Sequence, residues 1–317
     1  MTLKCASFFA GVGGIDLGFY QAGFKTVYAN EFDNYAADTF EQNFNIKVDR
    51  RDIHLVSTDE IPNFDILLAG FPCQAFSIAG YRQGFDDEKG RGDLFFELIR
   101  IIKDKRPRIA FFENVKNLVS HDNGNTFRII CEQLDLLGYK YIQQVMNACE
   151  YGNVPQNRER IYIVAFRDKA DYANFKMPLS IPLTHSIKDV IDFNSEVDKK
   201  YYYYETNCSF YQQLKKDMKS SNTVYQWRRV YVRENKSNLV PTLTANMGTG
   251  GHNVPLILTD DKKIRKLTPH ECFSVQGFPE NFKLPNQADG RLYKQAGNSV
   301  VVPVIKRIAT AIKDTLE

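Results

Sequence analysis

Three groups of residues in this 317-residue chain could do chemistry together. Cys73 lies in Gly70-Phe71-Pro72-Cys73-Gln74, directly after the apolar run Phe64-Asp65-Ile66-Leu67-Leu68-Ala69. A thiol attacks carbon only when it is ionised or assisted by a neighbour. Glu113 offers such a neighbour, because Glu113-Asn114-Val115 follows a second apolar run, Ile109-Ala110-Phe111-Phe112. Arg158 and Arg160 stand two apart in Gln156-Asn157-Arg158-Glu159-Arg160. In an extended segment they point the same way and could clamp a phosphate or a polar base edge. Each group has a plainer reading: a small buried thiol, a structural acid, and surface arginines paired with Glu159.

The elements around these residues favour the chemical reading. Phe64–Ala69 reads as a short buried strand that Gly70 and Pro72 end in a turn. In an open α/β sheet, the carboxyl ends of parallel strands are where ligands bind. Leu3 to Phe9 reads as the first strand, Ala10-Gly11-Val12-Gly13-Gly14 as a glycine turn, and Ile15 to Gln21 as a helix stopped by Gly23. Glycines let a ligand approach the backbone, and a helix N-terminus favours polar or anionic groups. The dinucleotide fingerprint G-x-G-x-x-G is not met, because Asp16 stands where its third glycine belongs.

A second strand, Thr26 to Ala29, leads into Asn30-Glu31-Phe32-Asp33. Glu31 is placed to accept hydrogen bonds from ribose hydroxyls, and Phe32 could lie against a flat ring. Asp33 or Asn34 should cap the helix that runs to Phe44. Asp52-Ile53 follows a weaker third strand candidate and could reach an adenine amino group. Gln74 to Gly92 is a long polar stretch with four glycines, of a length that is usually functional or disordered. A helix from Leu94 to about Lys103, capped by Asp93, is expected next. Asn125 to Leu137 reads as a helix, and Lys140 to Asn147 and Arg160 to Phe166 as strands. Pro178 and Pro182 mark a linker. From about His185 to Leu284 the chain is polar, with short strand candidates that include Tyr201-Tyr202-Tyr203-Tyr204. Gly297-Asn298-Ser299 then leads into Val300-Val301-Val302 and a final helix from about Pro303 to Leu316.

Composition is that of a soluble globular protein. No apolar run is long enough for a membrane span, and no signal peptide is visible, so a cytosolic protein is expected. Six scattered cysteines without a C-x-x-C pair argue against a metal site or disulfides, and five of them read as ordinary thiols. The net charge of +3 implies no partner on its own. Between Leu214 and Lys236, however, seven basic residues face two acidic ones. That local excess reads as a phosphate-facing patch or a solvated loop.

Taken in order, Phe9-Ala10-Gly11-Val12-Gly13-Gly14, Gly70 to Gln74, Glu113-Asn114-Val115, Gln156 to Arg160 and Gly297-Asn298-Ser299 form a set. That set resembles the DNA (cytosine-5)-methyltransferases, especially the compact bacterial enzymes paired with restriction systems. Arg265-Lys266-Leu267-Thr268-Pro269-His270-Glu271-Cys272 also looks like the family's block before its last motif. Phe32 stands where relatives often have tryptophan, and Asn157 fills a variable position.

The resemblance implies an α/β fold. Its Rossmann-like, mixed and mostly parallel sheet binds S-adenosylmethionine, and a second, smaller β-rich domain carries target recognition. The expected boundaries are 1–184 for the large domain, 185–284 for the small one and 285–317 for a segment returning to the large one. Cys73 is implied as the nucleophile on cytosine C6. Glu113 would bind N3 and the exocyclic amine, Arg160 the base carbonyl and Glu113, and Arg158 the base or nearby backbone. Asn114 would orient the loop that carries it or Glu113. Phe9, Gly11, Gly13, Gly14, Glu31, Phe32, Asp52, Ile53, Pro72, Leu94, Asn298 and Ser299 are the implied cofactor residues.

Gln74 and Ser77 should meet DNA as the loop from Gln74 to Gly92 closes over a flipped base. Sequence reading is expected between about Thr223 and Asn253, through Gln226, Arg228, Arg229, Arg233, Thr242 and Thr244. Thr242-Leu243-Thr244 resembles the family's Thr-Leu recognition pair. The stretch also resembles regions that modify GC-rich sites such as GCNGC. The expected partner is double-stranded DNA, with no metal, no membrane and a monomeric enzyme working alongside a restriction endonuclease. An RNA (tRNA) cytosine-5 methyltransferase and a catalytically silent DNA-binding homologue are the alternatives.

Overall fold

The structure is a computed structural model that describes residues 2–72, 94–249 and 253–317. The chain forms two compact units, and each is discontinuous in sequence. Unit one is Met1–Met146, Glu159–Pro178 and Ile305–Glu317; unit two is Asn147–Arg158 and Leu179–Val304.

Unit one is built on a six-stranded sheet. Its strands are β1 (Lys4–Phe8), β2 (Lys25–Asn30), β3 (Ile66–Ala69), β4 (Ile109–Val115), β5 (Lys140–Asn147) and β7 (Glu159–Phe166), in the order β2-β1-β3-β4-β7-β5. The pairs β1–β2, β1–β3 and β3–β4 are parallel and β4–β7 is antiparallel, so the sheet is mixed. β3 is buried along its whole length and β4 along all but its last residue. That is why both read as continuous apolar runs. Helix α1 (Gly14–Gln21) follows the glycine turn, and α2 (Asn34–Asn43) is capped by Asp33, whose carboxylate accepts from the Tyr35 amide. Phe8, Phe71, Phe95 and Phe112 sit in one large core cluster with the aliphatic residues of β3 and β4.

The weaker strand candidate before Asp52 is a single bridge between Asn30 and Asp49. The chain there bends into a short 3-10 turn, Ile53–Leu55. The helix expected from Leu94 runs to Lys105, and its proposed cap, Asp93, lies outside the described residues.

Unit two carries a five-stranded antiparallel sheet. β8 (Tyr202–Tyr203), β9 (Val224–Trp227), β10 (Val232–Glu234), β12 (Leu256–Leu258) and β13 (Ile264–Lys266) pair in the order β10-β9-β12-β13-β8. Its core includes Tyr203, Leu214, Tyr225, Leu256 and Ile264. Two very short strands, β6 (Gln156–Asn157) and β11 (Val240–Pro241), pair in parallel. Nothing local in Gln156–Asn157 signals a strand, because the partner that makes one lies so far along the chain. The sequence also gives no helix at Asp289–Asn298, and Gly297 lies inside it.

Buried Arg265 forms a bidentate pair with Glu271 and donates to the Asp192 carbonyl. Glu271 completes a capping box with Thr268. This block therefore reads as structural scaffolding. Among the described residues no helix is long and apolar enough to cross a membrane, and no group of three or more His, Cys, Asp or Glu could hold a metal ion.

Candidate active site

β3 ends at Ala69, in register with Phe112, and its parallel neighbour β4 runs on through Glu113 and Asn114 to Val115. Beyond β3 the chain turns through Gly70, buried Phe71 and exposed Pro72. The Phe71 ring anchors the turn against Phe95 and Phe112, with centroids 5.4 and 6.0 Å away. Asn114 fastens the turn from the β4 side. Its Nδ2 donates to the Phe71 carbonyl at 2.9 Å, while its Oδ1 accepts from the Val115 amide at 2.8 Å. This bonded turn leads towards Cys73. Cys73 itself, with Gln74, Ser77 and the stretch Gln74 to Gly92, lies outside the described residues.

Glu113 is only 8% exposed. Across the antiparallel β4–β7 pair it faces Tyr162, and Arg160 faces Val115. That register makes Arg160 the diagonal same-face neighbour of Glu113. The Arg160 Nε stands 3.1 Å from Glu113 Oε1, and Nη1 donates to the Glu159 carbonyl at 2.8 Å. A Cβ on Gly70 would stand 3.5 Å from Glu113 Oε2, so the first residue after β3 lies directly beside the carboxylate. The pair sets a hydrogen-bond acceptor next to charged donors at one strand edge. A flat ring with an amine beside a carbonyl would meet complementary groups there.

Arg158 has other surroundings. It is 3% exposed. Nη1 donates to the Leu243 carbonyl at 2.7 Å, and Nη2 donates to the carbonyls of Gly297, at 3.1 Å, and Ser299. In this structure the guanidinium therefore holds protein backbone carbonyls. A charge taken out of water has to be hydrogen-bonded, and a cluster of carbonyls supplies the acceptors.

The glycine turn forms a second cluster, at the ends of β1 and β2. Phe9 and Gly11 have left-handed φ values of 53° and 56°. Among the described residues, its chain neighbours apart, nothing lies within 4 Å of where a Cβ on Gly11 would stand. Gly13 needs both its φ of 84° and its lack of side chain, because a Cβ would meet the Phe44 ring at 2.3 Å. Glu31 braces this turn: Oε2 accepts from the Gly11 amide and Oε1 from the Asp33 amide, both at 2.8 Å. The ring of Phe32 beside it is 69% exposed. Asn30 Nδ2 donates to the carbonyls of Asp49 and Arg51, which fixes the approach to Asp52. Asp52 caps the 3-10 turn through the His54 amide, and that bond helps hold its carboxyl below the usual range. Ile53 is a core residue, and Leu94 packs half-buried on the same core. In unit two, Asn298 is exposed and Ser299 buried.

Asp16 was noticed in the sequence only as a departure from a fingerprint. It is fully buried at the start of α1 and accepts from the hydroxyls of Ser7 on β1 and Thr26 on β2, both at 2.8 Å. Burial pushes its pKa up to about 6 against those two hydrogen bonds. The residues that reveal its role lie on two other elements, so its own surroundings in sequence gave no signal. Burial likewise pushes the Cys5 and Cys272 thiols well above their ordinary pKa.

In unit two the basic residues surround a β9–β10 hairpin. Arg233 is in register with Gln226, and Arg228 Nη2 donates to Gln226 Oε1 at 3.0 Å. Arg229, with φ 65°, and Val230 and Tyr231 make the exposed tip. Trp227 is half-buried and stacks on Phe210, with centroids 4.2 Å apart. Its ring therefore joins the small core while the arginines stay in solvent. The Thr242 hydroxyl donates to the Asn157 carbonyl at 2.6 Å and the Thr244 hydroxyl to Asn246 Oδ1 at 2.8 Å. Gly250, Gly251 and His252 of the expected recognition stretch lie outside the described residues.

Comparison with known proteins agrees with this arrangement. The family model described as C-5 cytosine-specific DNA methylase matches residues 3–314. The chain is 60% identical to the Type II methyltransferase M.Bsp6I of Bacillus sp. (strain RFL6), with 98% of each chain covered. It is 40% identical to the Type II methyltransferase M.HhaI of Haemophilus parahaemolyticus, over 99% of this chain and 95% of that one. Among solved structures, the Entamoeba histolytica methyltransferase EhMeth shares the fold. Its TM-score is 0.77 at 18% identity, over 100% of this chain and 99% of that one. A mutant of Spodoptera frugiperda DNMT2 does so with a TM-score of 0.73 at 21% identity, over 98% and 100%. The ordered motifs, the mixed sheet and the match along almost the whole chain converge: the protein belongs to the C-5 cytosine-specific DNA methylase family and is a DNA cytosine-5 methyltransferase.

Proposed function

We propose that the protein methylates C5 of a cytosine turned out of duplex DNA, through a transient bond between Cys73 and C6 of the base. The observation that carries this reading is the Glu113–Arg160 pair, tied by Asn114 to the turn that leads into Cys73. Cytosine C5 is too weak a nucleophile to take a methyl group directly. Addition of the Cys73 thiolate to C6 makes the C5–C6 unit enamine-like, and negative charge develops towards N3. Glu113 donates or shares a proton at N3 and accepts from the exocyclic amine, while Arg160 donates to the base carbonyl and holds Glu113 in place. When C5 carries its methyl group, a base removes the C5 proton, the sulfur–C6 bond breaks and Cys73 leaves. None of this can occur inside a stacked helix, so the nucleotide has to swing out first.

The family depends on S-adenosylmethionine, and the residues of unit one fit that group. The space beside Gly11, the Glu31 carboxylate and the exposed Phe32 ring suit a polar chain, a ribose and an adenine respectively. When bound, S-adenosylmethionine supplies an electrophilic methyl group. Phe9, Gly13, Gly14 and Asp52 are assigned to the same group, as are Pro72, Leu94, Asn298 and Ser299. Gln226, Arg228, Arg229 and Arg233 are assigned to DNA. The Type II relatives support a role in modifying DNA alongside a restriction endonuclease, with GCNGC as the site to test first.

The test uses duplexes containing cytosine or 5-fluorocytosine at that site. The protein should transfer labelled methyl groups to the first. It should be trapped covalently on the second, because the C5 fluorine cannot leave as a proton. Cys73→Ala should do neither while still binding duplex. Normal turnover by Cys73→Ala would remove Cys73 from the mechanism.

A further inference from the structure

We infer that Arg158 is a positioning residue for sequence recognition: its guanidinium fastens the Leu243 carbonyl, inside the expected recognition stretch, to the Gly297 and Ser299 carbonyls at the end of the Asp289–Asn298 helix. The inference rests on the proposed reading of unit two as the DNA-recognising unit, and it gives Arg158 a different task from Arg160.

Several independent contacts meet at this joint, all within unit two. Arg158 Nη1 reaches the Leu243 carbonyl at 2.7 Å, and Nη2 serves both Gly297, at 3.1 Å, and Ser299. The segment before Arg158 is paired to the segment before Leu243, because β6 and β11 run in parallel with Gln156 opposite Val240 and Asn157 opposite Pro241. The Thr242 hydroxyl closes the same seam on the Asn157 carbonyl at 2.6 Å.

Two glycines then bring the helix against the recognition segment with no clearance. A Cβ on Gly297 would stand 2.2 Å from the Thr244 carbonyl carbon and 2.4 Å from the Ala245 amide nitrogen. A Cβ on Gly248 would stand 2.7 Å from the Cβ of Tyr293. Gly297 has no left-handed φ, so close approach, and not backbone conformation, is what its lack of a side chain serves.

The chemistry of the arginine fits this task better than contact with a base. At 3% exposure the guanidinium is closed off from solvent. Its planar fork serves the three carbonyls from two nitrogens at fixed angles, whereas an ammonium group would have to reach all of them from a single nitrogen. Loss of the fork leaves carbonyls of Leu243, Gly297 and Ser299 short of a donor inside the protein, and such groups are restored only by backbone movement or entry of water. The Thr242–Leu243–Thr244 edge would then no longer be held in one register. A site loosened by about 1 Å can lose on the order of 100-fold in efficiency. For a recognition segment the loss should appear as poorer discrimination between sites.

The test compares full-length wild type, Arg158→Lys, Arg158→Gln, Gly297→Ala and Arg160→Gln. Substrates are a duplex carrying the methylated site and duplexes with one base pair of that site changed, with labelled S-adenosylmethionine in each case. Arg158→Gln and Gly297→Ala should lower the kcat/KM ratio of cognate to altered duplex by about 10-fold or more, mainly through KM for DNA, with Arg158→Lys between them and wild type. Arg160→Gln should lower kcat on every duplex and leave the ratio intact. If Arg158→Gln does not fold, Arg158→Lys and Gly297→Ala decide the matter. Should both keep the wild-type ratio, or Arg158→Lys lose kcat alone as Arg160→Gln does, the inference is overturned while the proposed function stands. No methyl transfer by wild type on any duplex would overturn the proposed function and this inference together.

Discussion

The two units hold their polar side chains in opposite ways. In unit one the acids that matter are braced: Glu113 by Arg160, Glu31 by the Gly11 and Asp33 amides, and Asp16 by two hydroxyls. In unit two the Arg228–Arg229 tip projects from a short hairpin into solvent, with Gln226 bonded to Arg228. A group that stabilises a reacting ring has to stand in place before the ring arrives, and buried strand ends supply that rigidity. A group that reads a groove has to reach a partner surface and adapt to it. Arg158 and Arg265 are exceptions in unit two: there each cation is as firmly fixed as any acid in unit one.

That contrast can be broken most sharply at Glu113. Glu113→Gln keeps the shape but removes the proton carrier and leaves Arg160 beside a neutral amide. Single-turnover methyl transfer should slow by about 100- to 10,000-fold, while duplex affinity changes little. Near-normal turnover would mean that the braced acid has no catalytic task.

At the hairpin smaller and more separable effects are expected. Replacing Arg228 or Arg229 by Ala should cost about 1–3 kcal/mol at one position of the site if that arginine reads a base edge. If it touches phosphate, binding to all sequences should weaken alike and the salt dependence should flatten. Competition binding at two salt concentrations tells these apart, and no change in either would place the tip away from DNA.

The last expected effect is on stability alone and concerns Asp16. Its folded pKa is raised to about 6 from 3.8, so the folded state binds this proton more tightly than the unfolded state does. Between those values the contribution of Asp16 to stability falls as pH rises, by at most about 1.4 kcal/mol per pH unit, and the loss is complete above the folded pKa. Asp16→Asn should therefore gain on wild type as pH rises from 4 to 6. Denaturant midpoints of both proteins across that range check it, and parallel profiles would argue that Asp16 is charged throughout.

The parts of the fold that were legible in sequence are those whose cause is local. The runs before Gly70 and Glu113 read as buried strands because both of their faces are covered. Asp33 as a cap and the glycine turn before α1 follow from the same local rules. What escaped has distant causes. β6 is two residues long and exists only through β11. The helix at Asp289–Asn298 contains two glycines, and one of them is there for contact with Thr244 and Ala245. The carbonyls that hold Arg158 come from Leu243, Gly297 and Ser299, 85, 139 and 141 residues further along the chain. Residue type alone suggested an arginine for a phosphate, a base edge or nearby backbone; only the fold shows what surrounds it.

The division of the chain between the units has a consequence for its synthesis. The path passes between them at four places: after Met146, Arg158, Pro178 and Val304. A ribosome delivering the chain from the amino end therefore releases most of unit one early, but without Ile305–Glu317. Gly18 on α1 shows what is missing, since a Cβ there would stand 2.5 Å from the Ile305 side chain. Until that last stretch emerges, the surface made for it is bare and apolar. Domains generally fold as units during translation, the amino-terminal one first, and exposed apolar surface at that stage invites aggregation. Here the earliest residues wait for the latest, so a nascent chain stalled before Ile305 should be the form that chaperones bind and proteases cut.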